Sequence, residues 1–259
     1  MSQASPEPVR YERRGAAALV TIDRQHRRNA VDGPTAALLH EAYLRFEADE
    51  EARVMVLTGA GDVSFCAGAD LKAQETFVDR LISEEGPMGF TRLTPSKPTI
   101  AAISGFALAG GLELALWCDL RIATEGSTLG YPERRWGVPL IDGGTQRLPR
   151  IVGLGRALDL ILTGRMIDAS EALAMGLLTE VVAPGTHLDR ALALADGLAR
   201  FPQRTMLADR RAAIEGFGLP LAEALALEAH TGPEVFEEGA RGAARFAAGE
   251  GRGGAGTGA

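Results

Sequence analysis

Short apolar runs that alternate with helical patterns are the feature that most constrains how this chain can fold. Four runs indicate buried strands: AAALVTID (16–23), RVMVLTG (53–59), PTIAAISG (98–105) and DLRIATE (119–125). A helical pattern over 34–52 follows the first run, with Pro34 in its first turn and apolar residues at helical spacing. A second helix, ALAGGLELALWC (107–118), follows the third run. Strands that alternate with helices in this way predict an α/β core.

Beyond residue 143 the pattern changes to one of successive helices. The helical segments are GGTQRLPRIVG, GRALDLILTGR, DASEALAMGLL and the regions 186–216 and 219–248. Before them, the stretch 74–95 contains Gly86, Pro87 and Gly89, and we expect it to be irregular and mobile. A chain of 259 residues suits one large domain with a helical extension.

Composition excludes several classes of protein. No apolar run is long enough to span a bilayer, and the first residues lack the apolar segment of a signal peptide, so we expect a cytoplasmic location and no membrane partner. Cys66 and Cys118 form no CxxC or Cys/His pattern, which predicts reduced thiols and no metal site. A net charge of −7 without a basic block disfavours nucleic-acid binding.

Two turns rich in small residues follow predicted strands, where helices begin. FCAGAD (65–70) comes after the strand at 53–59, and ALAGGLE (107–113) comes after the strand at 98–105. Small residues allow a ligand to approach the backbone, and the amides at a helix N-terminus have no acceptor within the helix. Two such amides could converge on one oxygen, which is the geometry of an oxyanion hole. A purely structural turn is the alternative for each segment.

Glu113 is the only carboxylate in the apolar helix ALAGGLELALWC, where Leu112 and Leu114 flank it. Burying a carboxylate without a partner is costly, so the chain needs a reason to place one there. A catalytic role is one explanation. An ion pair with Arg121 or Arg147 inside the fold is the other.

A second carboxylate, Glu133, follows Pro132 in STLGYPERRWG (127–137), among glycines and aromatic residues. Two carboxylates against apolar walls would have their pKa values pushed apart, so that one could donate a proton while the other accepts one. A surface ion pair with Arg134 or Arg135 is the alternative for Glu133.

Several separate motifs, in order and at consistent spacing, resemble the crotonase, or enoyl-CoA hydratase/isomerase, superfamily. They are FCAGADLK, KPTIAAISGFALAGGLELALWCDLRIATEGSTLGYPE and GGTQRL, with NAV (29–31) and LTGRMIDASEALAMGLLTEVV (162–182) extending the match. The resemblance runs from about residue 9 to residue 250. It implies a spiral of ββα units over 1–195 and a helical region for trimerisation over 196–250. The glycine-rich composition of 251–259 predicts a disordered tail. The implied assembly is a homotrimer or a dimer of trimers.

The resemblance also implies an activity, the reversible syn hydration of a trans-2-enoyl-CoA thioester by a hydro-lyase. The amides of Ala69 and Gly110 would form the oxyanion hole for the thioester carbonyl. Glu113 would be the general base that activates water, and Glu133 would deliver a proton to Cα. No separate cofactor is implied, because coenzyme A is part of the substrate.

Contacts with coenzyme A are implied by similarity to two segments of the family. They fall on Arg28, Ala30, Ala67, Asp70, Leu71 and Lys72, with Asn29 in the first segment. For Arg28 and Lys72, a solvated surface charge is the alternative. We expect the choice of acyl group to depend on residues 73–95, with Phe90 and Trp136 as possible walls.

The chain departs from many hydratases at Leu140-Ile141, which stand where those proteins carry Pro-Gly. The family uses a backbone amide near this point to help position water. The departure leaves room for other chemistry on the same fold. The alternatives are a double-bond isomerase, a specialised dehydratase such as one of carnitinyl-CoA type, and, less favoured, a thioester hydrolase or decarboxylase.

A non-enzymatic alternative is RNA binding, which some relatives perform through a lysine-rich first helix. The matching helix here contains ALLHEAYLRFEADEEAR, which has no lysine and is acidic at its end. A surface that follows phosphates needs clustered positive charge. The sequence therefore disfavours RNA as a partner.

Overall fold

The structure is a computed structural model that describes residues 7–250. The predicted tail at 251–259 lies outside the described residues. The chain divides into two compact units between Ala195 and Asp196.

The N-terminal unit contains the strands and most of the short helices. Its first elements are β1 (Val9–Arg14), β2 (Ala17–Ile22), α1 (Gly33–Ala48), β3 (Val54–Gly59), β4 (Ser64–Cys66), β5 (Thr99–Ile103), β6 (Phe106–Leu108), α2 (Gly110–Trp117), β7 (Leu120–Thr124) and β8 (Thr128–Gly130). Short 3-10 helices lie at Gln25–Arg27, Leu71–Arg80 and Pro132–Trp136. Its later elements are α3 (Gly144–Val152), α4 (Leu154–Thr163), β9 (Met166–Asp168), α5 (Ala169–Ala174), β10 (Glu180–Val182) and most of α6 (His187–Arg200). The C-terminal unit contains α7 (Gln203–Gly216) and α8 (Leu221–Ala247).

The larger sheet forms the centre of the N-terminal unit. Within the described chain it has six strands in the order β1-β2-β3-β5-β7-β10, and only the β1–β2 pair is antiparallel. Every residue of β2, β3 and β5 is buried. Continuous apolar runs are typical of parallel strands that are covered on both faces. The predicted α/β fold, with these three strands and β7, is confirmed.

A smaller sheet, in the order β4-β6-β8-β9, brings together the two turns that are rich in small residues. Strands β4 and β6 are parallel neighbours, as are β6 and β8. Because parallel neighbours end at the same edge of a sheet, the residues that follow β4 and β6 meet there. The sequence pattern did not predict these strands, which have three residues each.

Helices α1 and α2 are buried to different extents. In α1, the Asp32 side chain accepts a hydrogen bond from the Thr35 amide at 2.9 Å, which caps the helix beside Pro34. One face of α1 enters the core through Leu39, Ala42, Tyr43 and Phe46. All eight residues of α2 are buried, including Glu113. Helix α2 is therefore a core helix that carries one acidic residue.

The segment 86–91 is irregular, as predicted for 74–95, but it is buried in the core, so the expectation of a mobile stretch is wrong for this part. Met88, Phe90 and Thr91 are all within 1% of complete burial. The Trp117 indole donates a hydrogen bond to the Leu93 carbonyl at 2.7 Å, and the His40 ring contacts the Gly89 carbonyl oxygen at 2.9 Å. The prediction failed because glycine and proline mark turns whether or not neighbouring elements cover them.

In the C-terminal unit, α7 and α8 pack against each other. The Thr205 amide donates to a Glu238 carboxylate oxygen at 2.6 Å, and Arg211 forms an ion pair with Glu234 at 2.6 Å. Helix α8 exposes Leu221, Leu225 and Phe236. The helices predicted beyond residue 143 are confirmed.

Candidate active site

A cavity of about 810 Å³ in the N-terminal unit contains all four residues expected to catalyse the reaction. Ala69 and Gly110 lie on its wall with Glu113 and Glu133. The 3-10 helix Leu71–Arg80 contributes apolar residues to the wall, and the segment 132–142 contributes others. The structure thus brings together residues that are up to 64 positions apart in the sequence, from Ala69 to Glu133.

The predicted oxyanion-hole amides lie at the edge where β4 and β6 end. Gly110 is the first residue of α2, so its amide has no acceptor within the helix. Ala69 is held in a strip of backbone that pairs with Val31. In residues 7–250, neither the Ala69 amide nor the Gly110 amide donates a hydrogen bond to a protein acceptor. Both donors are therefore available to an oxygen in the cavity.

Gly68 allows the two turns to approach each other. It has a φ of +95°, and a Cβ there would lie 3.0 Å from the Gly110 nitrogen and 2.9 Å from the Ala109 Cβ. Ala109 itself has a φ of 53° and a ψ of −128°, a region that residues with a Cβ rarely occupy. This strained residue turns the chain from β6 into α2, which places the Gly110 amide at the turn.

Glu113 is held by two backbone amides. It is 2% exposed, and its Oε1 accepts hydrogen bonds from Gly144 at 2.7 Å and Asp142 at 3.0 Å. Burial, followed by the nearby charge of Asp142, raises the pKa of Glu113 to about 8, although the two amide hydrogen bonds act in the opposite direction.

Neither arginine expected as a structural partner forms an ion pair with Glu113. Arg121 donates instead to the Leu177 and Cys118 carbonyls, at 2.7 and 2.6 Å. Arg147 also donates to main-chain carbonyl oxygens. The alternative of an ion pair with Arg121 or Arg147 is therefore wrong, and within residues 7–250 the hydrogen bonds to the Glu113 carboxylate come from two backbone amides.

Glu133 lies in the 3-10 helix Pro132–Trp136, and its carboxylate, unlike that of Glu113, is not held by hydrogen bonds within residues 7–250. It is 8% exposed, and neither of its carboxylate oxygens has a hydrogen-bond partner within the part of the chain described. Burial raises its pKa to about 7, while the positive charge of Arg134 acts to lower it. The Arg134 guanidinium donates to the Ile161 carbonyl at 3.2 Å instead of pairing with Glu133.

Sequence reasoning did not identify Asp142, Gly144 or Tyr131 as part of this site. A Cβ on Gly144 would lie 2.9 Å from Glu113 Oε1 and 2.7 Å from the Tyr131 hydroxyl, so only glycine fits there. The Tyr131 hydroxyl is buried without a partner in the described residues. The GGT sequence at 143–145 is the signal that points to Gly144 in the sequence.

Leu140 and Ile141, the departure from the family pattern, both line the cavity. The amides that hold Glu113 belong to Asp142 and Gly144, which follow them. Both amide hydrogen bonds to Glu113, which we call the clamp, are thus present although Leu140-Ile141 replaces Pro-Gly. A role for the Ile141 amide in positioning water stays a prediction.

Some of the residues expected to contact coenzyme A line the cavity, and others are exposed on the surface. Ala67 and Leu71 line the cavity, and the Ala67 amide donates to the Arg28 carbonyl at 3.1 Å. Arg28 is exposed, with its guanidinium carbon 5.4 Å from the centre of the Phe106 ring. Lys72 is also exposed. Contacts of these side chains with coenzyme A stay predictions.

Asp70 and Ala30 are engaged in local structure around Arg24. The Asp70 carboxylate caps the 3-10 helix at the Lys72 amide and forms an ion pair with Arg24 at 3.2 Å. The Ala30 carbonyl accepts a hydrogen bond from the same guanidinium. Arg24, which no sequence pattern singles out, therefore ties the 24–32 turn to the backbone strip beside the cavity.

The two aromatic residues considered as acyl-pocket walls differ. Trp136 lines the cavity and is 69% exposed. Phe90 is fully buried against Trp117, with ring centres 4.4 Å apart, and does not reach the cavity. Met88 and Phe77 contribute to the wall from the same region of sequence.

Residues 7–250 contain no group of three or more His, Cys, Asp or Glu side chains that could hold a metal ion. Cys66 and Cys118 are free and buried, and burial raises the pKa of each thiol to about 12. No helix in the described range is long and apolar enough to cross a membrane.

Similarity to known proteins agrees with this arrangement. The family model described as enoyl-CoA hydratase/isomerase matches residues 12–248. A probable enoyl-CoA hydratase from Rhizobium meliloti is 39% identical over 94% of this chain and 96% of its own length. The crystal structure of an enoyl-CoA hydratase from Mycobacterium marinum has a TM-score of 0.87 and 37% identity, covering 93% of this chain and 96% of that one.

A carnitinyl-CoA dehydratase from Mycobacterium avium has a TM-score of 0.76 and 38% identity, covering 89% of this chain and 90% of that one. The match to the family thus extends over nearly the whole described chain, at identities well above those at which only the fold is shared. The chain belongs to the enoyl-CoA hydratase/isomerase family, the crotonase superfamily.

Proposed function

We propose that this enzyme catalyses the reversible syn addition of water to a trans-2-enoyl-CoA, giving the 3-hydroxyacyl-CoA. One observation carries the proposal. Two buried carboxylates, with pKa values raised to about 8 and about 7, line the same cavity as two backbone amides that have no protein acceptor in residues 7–250. Such an arrangement suits a reaction that needs a base, an acid and stabilisation of an oxyanion.

The amides of Ala69 and Gly110 bind the thioester carbonyl oxygen in this mechanism. Attack of water at Cβ moves negative charge onto that oxygen, and preorganised donors stabilise the resulting enolate. The rigid strand edge and the close approach at Gly68 keep both donors in place. Because this device polarises the thioester without a metal or a separate cofactor, the substrate's own coenzyme A is the only carrier required.

Glu113 and Glu133 handle the water and its protons. Two amides occupy Oε1 of Glu113, which leaves Oε2 to accept a proton from the attacking water. Glu133 has no competing protein partner in the described chain, so it can hold a proton and deliver it to Cα. Positioned acid and base groups of this kind typically contribute about 10²–10⁴-fold each.

The two raised pKa values imply that the pair carries a single proton near neutral pH. Burial raises both pKa values, so either carboxylate can hold this proton. With the proton on Glu133 the pair is set for hydration. With the proton on Glu113 it is set for dehydration, in which Glu113 protonates the departing hydroxide and Glu133 accepts the Cα proton.

A dehydratase of carnitinyl-CoA type uses the same hydro-lyase chemistry on a different acyl group, and one solved relative bears that name. A double-bond isomerase moves a proton but adds no water. The presence of two buried carboxylates on the cavity wall favours water addition over isomerisation, because water addition needs both a base and an acid.

The test is an assay of two activities with the purified enzyme. We expect it to consume the enoyl absorbance of crotonyl-CoA, with formation of the 3-hydroxyacyl thioester, and to convert 3-enoyl-CoA to 2-enoyl-CoA much more slowly. The opposite ratio of rates would replace hydration by isomerisation as the main activity. Neither activity on any acyl chain, with a folded protein, would contradict the proposal.

We further propose a homotrimer or a dimer of trimers, and a cytoplasmic location. The exposed apolar residues of α8, Leu221, Leu225 and Phe236, support burial against other copies of the chain. The family membership supports the same assembly. Light scattering after size-exclusion chromatography tests the oligomer, and a monomeric mass at micromolar concentration would contradict it.

A further inference from the structure

Asp142 is a buried carboxylate on the cavity wall that the proposed reaction does not use. It is 4% exposed and lines the cavity beside Glu113. Its backbone amide is one of the two donors to Glu113 Oε1, at 3.0 Å. Its side chain points to a different part of the protein, where Oδ1 accepts hydrogen bonds from the Met88 amide at 3.0 Å and from the Thr91 hydroxyl. One residue thus contacts both the catalytic carboxylate and the segment 86–93.

Arg147 braces the same junction from α3. Its guanidinium donates to the Asp142 carbonyl at 3.0 Å and to the Thr91 carbonyl at 2.6 Å. The backbone of Asp142 and the backbone of Thr91 are therefore linked twice, once through the Asp142 carboxylate and once through Arg147. Rotation of the Asp142 side chain would leave the buried Met88 amide without its acceptor, which is costly.

Met88 extends this linkage to the oxyanion hole. It lines the cavity, and its Sδ lies 3.2 Å from the point that a Cβ on Gly110 would occupy. The wall beside the Gly110 amide is thus fixed by the same carboxylate whose backbone orients Glu113. A shift of Asp142 would move both halves of the site.

Both acidic and basic groups lie near the Asp142 carboxylate. Asp142 raises the pKa of Glu113, second only to burial, and burial raises the pKa of Asp142 itself, while Arg92 and Arg147 act to lower it. The other titratable groups that interact with Glu113 or Asp142 are Glu133, Tyr131 and Cys66. Loss of the Asp142 charge would therefore change the electrostatic surroundings of the catalytic base.

We propose that Asp142 is a positioning residue for the hydration reaction, whose carboxylate keeps Glu113 and the Met88–Gly110 wall in one arrangement. The inference rests on the proposed function. It assigns to Asp142 no contact with the reacting atoms. Its effect reaches them through the Glu113 carboxylate and through the wall beside the Gly110 amide.

The experiment compares Asp142→Ala and Asp142→Asn with matched changes at Asp119. Asp119 also accepts hydrogen bonds from a backbone amide and a threonine hydroxyl, those of Thr99 at 2.8 and 3.1 Å, but it is absent from the cavity wall. We expect Asp142→Ala to lower kcat for crotonyl-CoA about 10–100-fold, because small displacements of catalytic groups are costly. Asp119→Ala should lower Tm with kcat nearly unchanged.

Asp142→Asn tests the pH profile of kcat/KM, which should not change if Asp142 only stabilises the fold. Asparagine keeps the Oδ1 acceptor and removes the charge, so kcat at the optimum should stay within about tenfold of the unsubstituted enzyme. The pH profile of kcat/KM should move to lower pH by about 0.5 unit or more, because a neighbouring negative charge no longer opposes ionisation of Glu113. Asp119→Asn should leave the profile in place.

The outcomes separate this inference from the proposed function. If the unsubstituted enzyme hydrates no enoyl-CoA, the proposed function fails. If it is active, a folded Asp142→Ala variant with kcat within twofold of normal overturns the positioning role. Should Asp142→Ala not fold, an unmoved pH profile for Asp142→Asn overturns it equally.

Discussion

Glu113 and Glu133 line the same cavity, but the protein holds the two carboxylates in opposite ways. Glu113 lies in a fully buried core helix, and two amides fix one of its oxygens. Glu133 lies in the short 3-10 helix Pro132–Trp136, and both its carboxylate oxygens are buried without partners in residues 7–250. Burial raises the pKa of both groups, yet only one is restrained in orientation.

In the mechanism that we propose, this difference assigns two roles to one residue type. A base that must aim at a water molecule benefits from fixed geometry, and the amides of Asp142 and Gly144 supply it. An acid that must release its proton benefits from the lack of a competing acceptor.

Among the substitutions that leave both carboxylates in the chain, the largest effect is expected from Gly144→Ala, which disturbs the restrained carboxylate directly. The new Cβ would lie 2.9 Å from Glu113 Oε1 and 2.7 Å from the Tyr131 hydroxyl, so Glu113 must move. We expect kcat/KM for crotonyl-CoA to fall about 10²–10³-fold, because displacement of a catalytic group by about 1 Å is costly. Gly155→Ala is the control, since nothing lies within 4 Å of its Cβ position. Equal activity of the two variants would show that the clamp is not needed.

A smaller loss, about 10²-fold in kcat, is expected for Gly68→Ala, which leaves both carboxylates in place. Its Cβ would lie 3.0 Å from the Gly110 nitrogen, and its backbone φ of +95° disfavours alanine. The change therefore obstructs one oxyanion-hole donor, a loss typically worth about 10²–10³-fold. Steady-state kinetics should show the fall mainly in kcat. A fall confined to KM would indicate that this edge only binds substrate.

The pH dependence of kcat/KM tests the shared proton. With pKa values of about 7 and about 8, activity should peak between pH 7 and pH 8. Below this range both carboxylates are protonated and no base remains; above it both are ionised and no acid remains. Each limb should approach tenfold per pH unit.

Two variants sharpen the pH test. Glu133→Gln should leave only the limb that rises with pH, because Glu113 alone then titrates. Glu75→Gln, at an exposed carboxylate on the same cavity wall, should leave both limbs unchanged. A profile that is flat from pH 6 to pH 9 would contradict a shared proton.

The smallest effect is on stability. Because the pKa of Glu113 is raised in the folded protein, the folded state binds this proton more tightly than the unfolded chain does, and stability falls as pH rises from about 5 to about 8. Glu113→Gln removes that loss, so it should be more stable than the unsubstituted protein by roughly 1–3 kcal/mol at pH 8.5 and much less so at pH 5.5. Thermal unfolding at both pH values measures this. A pH-independent difference would mean that Glu113 is not buried as described.

The long elements of the fold could be predicted because each carries its own pattern. Strands β2, β3, β5 and β7 are five or six residues of buried apolar sequence, and α1 shows apolar residues at helical spacing. Strands β4, β6 and β8 have three residues each, which is too short for any periodicity to be recognised. Their pairing nevertheless decides which edge carries the two amides that we propose for the oxyanion hole.

The candidate site was predicted where its residues are chemically conspicuous. A carboxylate in an apolar helix stands out, and so do glycines after a strand. The amides that hold Glu113 come from Asp142 and Gly144. Every residue except proline has a backbone amide, so the sequence does not mark these two. Their role follows from the tertiary path of the chain between residues 137 and 144. Likewise, the strained φ of Ala109 leaves no trace in the residue's identity.

The most direct test of the account measures Glu113→Gln, Glu133→Gln and the double variant with crotonyl-CoA. If both carboxylates act on one water, each single change lowers kcat about 10²–10⁴-fold, and the double variant is no more than about tenfold below the worse single variant. Both glutamines are close in shape to the residues that they replace, so folding can be checked by Tm. Losses that multiply fully in the double variant, or near-normal activity of either single variant, would contradict the joint action of Glu113 and Glu133.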